Sequence, residues 1–446
     1  MDQRLVLFLE SFRKNAHWVE ERTQKGIEES RKGNFSVSFT DENGTAVSGV
    51  NVQLKQKTHD FRFGCNLFML DELETDEKNE TYKKLYPEMF NIATLPFYWN
   101  DLEPEQGKPR FAKDSPKVYR RPAPDLCVEY CQEHGIEPKL HCLCYDQWSP
   151  RWLPRDVPTI KNLLEKRIRE IAERYHNVIP TMEVTNETYC NEYDEPTRRS
   201  TPFFREEDYV EWSFETARKY LPNTNLIINE GTNQTWSTYK YKRTPYYMQI
   251  REALRNGASI DSIGLQYHLF HKDEATTKRK KKVYDPEIIF GLLDTMADFH
   301  KPLQITEVTI PAFSANAEDE AAQAEVMTWL YKIWFSHPNM EAIIYWNMVD
   351  GYAAFAEQGD MTCGENVFHG GLLRFDMSKK PVWYAMHDLI HKTWHTELTD
   401  NTGADNVLSG RGFYGEYEVE ATVNGKTVTT CIHVKKGEEN KFTITI

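Results

Sequence analysis

The chain of 446 residues lacks several features that would assign it a class at once. Its eight cysteines, Cys65, Cys127, Cys131, Cys142, Cys144, Cys190, Cys363 and Cys431, show none of the paired short spacings of a zinc site and are too dilute for a disulfide scaffold. Long apolar runs are missing too: "LVLFL" near the N-terminus meets Glu10 at once, too short for a signal core or a membrane span. The expected setting is therefore the reducing cytoplasm, or secretion if a leader has been removed. Positive charge is in deficit, with 54 Lys and Arg against 68 Asp and Glu and a net charge of -14. Such a balance repels phosphate backbones and anionic lipid, so neither nucleic acid nor membrane is expected as a partner. A glycine-rich phosphate-binding turn is also absent from the first crossover.

Aromatic residues, by contrast, are plentiful at 13%, including 11 Trp and 23 Tyr, and suit a site that stacks the flat apolar faces of a ligand such as a sugar. A hydrophobic content of 40% allows one large core, in a main domain of roughly 250 to 350 residues with smaller attachments. Leu5, Phe8, Leu9, Phe12, Ala16 and Val19 recur at three- and four-residue steps, predicting an N-terminal helix within 1–32 that Gly33 would end. "NFSVSFTDENGTAVSGVNVQLKQ" alternates around "DENG" and predicts a hairpin; the tail from about 412 to 446 predicts three or four strands. Neither end has strands enough for a two-sheet core, so 33–60 and 405–446 are expected to pair into one accessory β-sandwich.

Between them, over 61–400, short apolar strands alternate with amphipathic helices. The strand candidates are 62–68, 90–95, 138–144, 181–187, 225–230, 262–269, 303–310 and 342–347. Cys142 and Cys144 share a face of the third and read as small apolar packing residues. "KNLLEKRIREIAERY" shows the helical period well, with Leu164, Ile168, Ile171 and Tyr175 on one face. Eight such units predict a (β/α)₈ barrel, an α/β fold whose active site lies at the strand C-terminal ends.

Read at those ends, the chain offers chemistry. Strand four closes in Asn186-Glu187 and strand seven presents Glu307, so two carboxylates remote in sequence can face each other across one mouth. Opposed carboxylates are the minimum equipment for breaking a glycosidic bond: one protonates the leaving oxygen, and the other attacks the anomeric carbon or activates water. Gln266 and His268 end strand six, and Trp346 and Asn347 end strand eight. Tyr98, Trp99, Tyr145, Trp148, Trp152, Tyr267 and Trp346 are candidate sugar platforms, with Tyr145 and Trp346 preferred.

These residues resemble glycoside hydrolase family 10, the retaining endo-xylanase family. Its Asn-Glu acid/base pair matches Asn186 and Glu187; its nucleophile strand Ile-Thr-Glu matches "ITEV" with Glu307. Gln266 and His268 match its Gln-x-His, Trp346 its late tryptophan, and His141, Leu143, Ser149, Pro150 and Trp152 its strand-three segment. The likeness spans about 62 to 390, "EPEQGKPRF" after strand two included, and the tail "GRGFYGEY" resembles the β extension of plant-type members. Departures concern the sugar-holding shell. The family's Glu-Asn-x-x-Lys after strand two is "LPFYWNDLEP" here, its Trp-His is Tyr145-Asp146, and its second late tryptophan is missing, with Tyr352 and Phe355 the nearest aromatics.

The resemblance implies a retaining hydrolase of β-1,4-xylosidic linkages that uses no metal or organic cofactor. Glu187 would be the acid/base with a raised pKa and Glu307 the ionised nucleophile, the carboxyls standing roughly 5 to 5.5 Å apart. Asn186, Gln266, His268, His141, Tyr145, Asp146 and Trp346 would hold the sugar, with His268 orienting Glu307. Glu230, closing strand five, ranks below the two as a structural acid. The run "KRKKK" (278–282) reads as a solvated loop, or else as a cationic rim for an acidic sugar. The Asn186-Glu187-Thr188 glycosylation sequon is read as chance, since a glycan there would block the cleft. Two alternatives remain: a related glycosidase on another β-linked or branched plant glycan, and a carbohydrate-binding protein with weak or lost catalysis.

Overall fold

The computed structural model describes residues 2–189, 201–403 and 405–446, so Cys190 lies outside the described residues. The chain opens on a helix, Gln3–Arg31, capped by Asp2, whose carboxylate accepts from the Arg4 backbone N–H at 2.9 Å. Leu5, Phe8, Leu9, Phe12 and Val19 form its buried stripe. This face packs on the helix Ala317–Ser336, and the two backbones come close enough that a Cβ on Gly26 would stand 2.5 Å from the Ser336 carbonyl oxygen. Gly33 does not end the helix as expected: the backbone turns extended at Lys32 and runs straight into β1 (Lys32–Thr40). The Tyr414 ring instead fills the space that a Cβ on Gly33 would take.

β1 and β2 (Asn51–Gln56) correct the expected hairpin. "DENG" does turn the chain, with Asp41 accepting from Asn43 and Thr45 N–H groups, but β2 leaves for a different sheet. The barrel strands β3 to β10 follow, described below, and after them come β11 (Glu397–Asn401), β12 (Val407–Phe413), β13 (Gly415–Val423), β14 (Lys426–Val434) and β15 (Lys441–Thr445). One sheet has the order β12-β1-β15 and the other β11-β2-β13-β14. They enclose one small core containing Phe35, Val37, Phe39, Val52, Leu54, Tyr417 and Val419. β11 begins before the expected barrel end at 400. "ELTDN" carries no apolar alternation because it is an exposed edge strand paired only to β2.

The main domain is a closed barrel of eight strands: β3 (Arg62–Asn66), β4 (Ile92–Pro96), β5 (Glu137–His141), β6 (Thr181–Asn186), β7 (Asn225–Glu230), β8 (Ser262–His268), β9 (Leu303–Thr309) and β10 (Met340–Tyr345). Every neighbouring pair runs parallel, β10 closing on β3. The eight strand candidates are these eight strands, and Leu164, Ile168, Ile171 and Tyr175 are buried on the helix Val157–Tyr175. Cys142 and Cys144 are buried just past β5.

Two strands depart from regular pleating where it matters. Along β6 the pairing with β7 slips between Glu183 and Thr185; along β9 the pairing with β8 runs Leu265 to Ile305 and then Gln266 to Glu307. Each slip inserts one residue, and such a bulge re-aims the side chains after it.

Phe8 lies edge-on to both Tyr284 and Phe313 with no exposure, and so ties the N-terminal helix to the barrel wall. Phe8→Ala is expected to destabilise the protein by about 3–5 kcal/mol, read as a lower midpoint in chemical denaturation. A loss below about 1 kcal/mol would show that the helix is not integral to the core.

Candidate active site

At the strand C-terminal ends lies a cleft of about 230 Å³ lined by Asn186, Glu187, Gln266, His268, Glu307 and Trp346, among others. A larger hollow of about 740 Å³ opens at the other end of the barrel. There Arg62 is already paired with Glu137 at 2.9 Å and Glu341 at 2.7 Å, and strand C-terminal ends are absent.

The cleft is organised by one amide that the sequence did not single out. Asn229, on β7, donates through Nδ2 to Asn186 Oδ1 at 2.8 Å and to Glu307 Oε1 at 3.1 Å, while its Oδ1 accepts from the Thr306 hydroxyl at 2.6 Å. Thr306 and Glu307 are consecutive, yet both reach the same side chain; a regular strand would send them to opposite faces. The β9 bulge makes this possible, and Gly264 leaves room for it, because a Cβ there would stand 2.5 Å from Asn229 Oδ1. The β6 bulge acts likewise, turning Glu183 and Asn186, three apart, both into the barrel.

Glu187 follows β6 with φ of 51°, in the left-handed region that a non-glycine residue seldom occupies and that concentrates at functional sites. Its half-buried carboxylate accepts from Tyr145 Oη at 2.5 Å and from Gln266 Nε2 at 3.0 Å; Gln266 also reaches Asn186 Oδ1 at 3.3 Å. A chain of hydrogen bonds through Gln266, Asn186 and Asn229 thus joins the two glutamates across the mouth. The loop after Glu187 is tied down by Glu230, which accepts from Thr188 Oγ1 at 2.9 Å and Tyr189 N–H at 3.1 Å. Burial pushes the pKa of Glu230 up to about 7. Its carboxylate is committed to these loop groups and does not line the cleft.

Glu307 is 4% exposed. Glu187 is the residue expected to carry the raised pKa, with Glu307 ionised; the structure instead raises the pKa of Glu307. Burial drives it up to about 8, His141 opposes the rise, and Glu183 and Glu187 add to it. His268 stands with Nε2 3.1 Å from Glu307 Oε2 and Nδ1 2.8 Å from Thr309 Oγ1. Burial lowers its pKa to about 4, so at neutral pH it is an uncharged ring that donates from one nitrogen and accepts at the other.

Beneath Glu307 lies a buried charge cluster. Lys139 Nζ is 2.5 Å from Glu183 Oε1, and His141 Nδ1 bonds Glu183 Oε2. Burial would raise the pKa of Glu183, but Lys139 and His141 bring it down to about 2; burial would lower that of His141, but Glu183 raises it. His141, Glu183 and Glu307 offer ligand atoms within 4.8 Å of one another, a spacing that could hold a metal, although Lys139 already supplies a positive charge to Glu183. Lys139 and Glu183 were legible as charges inside otherwise apolar strands, a pattern that demands a partner.

The other expected residues divide. Trp346 packs edge-on to Phe68, His141 and His268, and Tyr145 and Trp148 border the same aromatic group with Tyr98. Asp146 is corrected: buried on the far side of its turn, it accepts from the Thr201 backbone N–H at 2.9 Å and does not line the cleft. The turn presents Tyr145, Gln147 and Trp148 to the cleft. Trp99 and Trp152 bond Glu103 and pack on each other, and Tyr267 bonds the Val283 carbonyl within the core, so none of the three is a platform. The basic run is no loop: it ends the helix Glu274–Arg279 and continues as a tight turn, with Lys280 reaching the cleft. Phe355, 63% exposed at the cleft mouth, stacks toward Trp148 at 6.4 Å.

The sign of the Glu307 shift makes a prediction. An unfolded glutamate titrates near about 4.3, so a folded value raised to about 8 contributes stability at low pH that is lost as pH rises through that window. Glu307→Gln removes the titration. Its melting temperature is expected to exceed that of the parent, by more at pH 8 than at pH 5; a difference that shrinks with rising pH contradicts the assignment.

Comparison with known proteins agrees with this geometry. The profile of Glycosyl hydrolase family 10 matches residues 56–387. Among curated proteins the chain is similar to Anti-sigma-I factor RsgI6 of Acetivibrio thermocellus, 21% identical over 418 residues, covering 92% of this chain and 47% of that protein. It is also similar to Endo-1,4-beta-xylanase 2 of Arabidopsis thaliana, 22% identical over 419 residues, covering 91% of this chain and 34% of that one. The chain thus spans less than half the length of these relatives. Among solved structures, native xylanase 10B from Thermotoga maritima superposes with a TM-score of 0.57 at 22% identity, over 75% of this chain and 96% of that one. Xylanase 10B from Thermotoga petrophila RKU-1 in complex with xylobiose gives 0.57 at 22% identity, over 75% and 95%. At such identities the structural likeness speaks for the fold, and the profile for the family: the chain belongs to glycosyl hydrolase family 10.

Proposed function

We propose that the chain is a retaining glycoside hydrolase that cleaves β-1,4-xylosidic linkages in xylan or its oligosaccharides by double displacement. The observation that carries the reading is the hydrogen-bonded chain that joins Glu187 to Glu307 across one mouth. Names of relatives that are endo-1,4-β-xylanases support the substrate class.

In the first step a Glu307 carboxylate oxygen bonds to the anomeric carbon as the glycosidic C–O bond breaks, and Glu187 gives its proton to the departing oxygen. The raised pKa of Glu307 means that this carboxyl must first release its proton to solvent; the hydrogen bond from Asn229, and one from His268 when its Nε2 carries the ring proton, then favour the ionised form. In the second step Glu187 takes a proton from water, the water oxygen bonds to the anomeric carbon, and the Glu307 carboxylate leaves. Asn186, held by Asn229, is set to bind the sugar 2-hydroxyl, and Trp346 to pack against the ring.

A second reading, a glycosidase of another β-linked glycan, is favoured by the turn after β5, where Asp146 faces Thr201 and Tyr145 bonds Glu187. The sugar-holding contact expected at that position is therefore rebuilt.

Glu187→Ala is expected to lose most activity on unactivated xylo-oligosaccharides, roughly 10²-fold or more, and far less on aryl xylosides whose leaving group needs no proton. Equal losses on both would deny Glu187 the acid role. Proton NMR of the first-formed sugar is expected to show retained β configuration; an inverted product excludes double displacement. Preference for glucosides or arabinosides in a substrate panel would favour the second reading.

A further inference from the structure

We propose that Arg120 recognises a carboxylate carried on the sugar chain, so that the cleft selects glycans bearing a hexuronic acid; the proposal rests on the reading of the cleft as a glycan site. Arg120 sits in the segment between β4 and the helix Pro124–Glu133, with φ of 62°, and is 6% exposed where it lines the cleft. Neither its Nε nor its Nη1 has a hydrogen-bond partner among the described residues, and Nη2 makes one long contact, 3.4 Å from Asn347 Oδ1.

Other buried arginines of the chain are used differently. Arg167 donates to the carbonyls of Phe97, Cys142 and Leu143, and Arg110 to those of Asp101, Pro116 and Arg121. Those guanidiniums hold the fold together. Arg120 holds no carbonyl and makes no ion pair among the described residues. Its neighbour Arg121 is neutralised by Asp101 at 2.8 Å and lies over the Tyr98 ring at 4.1 Å. Glu365, an opposing charge that acts on Arg120 from the cleft wall, lies 3.4 Å from Asn347 Nδ2 and makes no ion pair with the guanidinium.

A guanidinium keeps its charge at every ordinary pH, and burying one without a bonded counter-charge is unfavourable. A ligand that supplies the counter-charge reverses that cost. The planar fork of N–H groups matches a carboxylate in two parallel bonds, whereas a sugar hydroxyl would satisfy one donor and leave the charge unmatched. Lys280, also on the cleft wall, adds positive charge to the same surface. The chain as a whole carries a net charge of -14, so attraction for an acidic glycan has to come from such a local arrangement.

The test uses the full chain and a set of xylo-oligosaccharides carrying one glucuronosyl substituent at each position, beside the same compounds with the carboxyl reduced to a neutral hydroxymethyl group. Affinity by calorimetry and kcat/KM are measured for both. The acid form is expected to be preferred by about tenfold or more at one position, and the preference to fall toward unity in Arg120→Gln. The comparison of acid with reduced substrate needs no variant and stands even if Arg120→Gln does not fold. Equal handling of the two forms, with the neutral form still bound, overturns the proposal and leaves the glycan reading intact. A preference that persists in folded Arg120→Gln overturns the assignment to Arg120. Binding of neither form overturns the glycan reading and the proposal with it.

Discussion

The side-chain amide of Asn229 fixes the geometry on which the site depends. It has two donors and two acceptor lone pairs, and three of its bonds fall on functional strands: to Asn186 on β6, and to Thr306 and Glu307 on β9. Strands related by a closed barrel are held at their spacing by backbone ladders, but those ladders do not fix which way a side chain leans at the mouth. Asn229 does so for the strands that carry the two glutamates. Its reach requires a bulge in β9 and a missing Cβ at Gly264, so backbone irregularity and side-chain chemistry are parts of one device.

The same device has an energetic cost. Glu307 is kept from water above a buried lysine, glutamate and histidine, and Glu187 sits on a left-handed backbone. Strained and poorly solvated groups of this kind persist where the surroundings over-determine them, and the surroundings here are extensive. The barrel core is continuous with the stripe of the N-terminal helix, and the accessory sheets have an apolar core of their own. Stability is therefore drawn from apolar packing remote from the mouth, and polar groups at the mouth can be placed for chemistry instead of for folding.

Much of this was legible in the sequence. Eight apolar strands separated by amphipathic helices, with no glycine-rich phosphate turn at the first crossover, point to a barrel over an open doubly wound sheet, and Glu187, Glu307, Gln266 and His268 stood out as polar strand ends. What stayed hidden has physical reasons. Asn229 reads as an ordinary residue of "NLIINE", since period-two alternation says which face it occupies and nothing of what it touches. Bulges leave no mark on composition, so the joint inward turn of Thr306 and Glu307 could not be inferred. Asp146 was expected among the sugar ligands because it stands where the resembled family has a histidine, yet in this turn Tyr145 faces the cleft and Asp146 turns to the Thr201 backbone. β11 escaped because an exposed edge strand needs no apolar face, and Gly33 misled because a glycine after a helix usually caps it, whereas this one admits the Tyr414 ring.

Double displacement requires a Glu307 oxygen to bond the anomeric carbon of the sugar. A xylobioside bearing fluorine at the 2-position of the reacting sugar and a reactive aryl leaving group slows the second displacement more than the first, so a covalent adduct accumulates for mass spectrometric mapping. Stoichiometric labelling is expected on the peptide that contains Glu307, with the leaving group released in equal amount. A label on Glu187, on Glu230 or on any other residue, or release of the leaving group with no adduct, would contradict it.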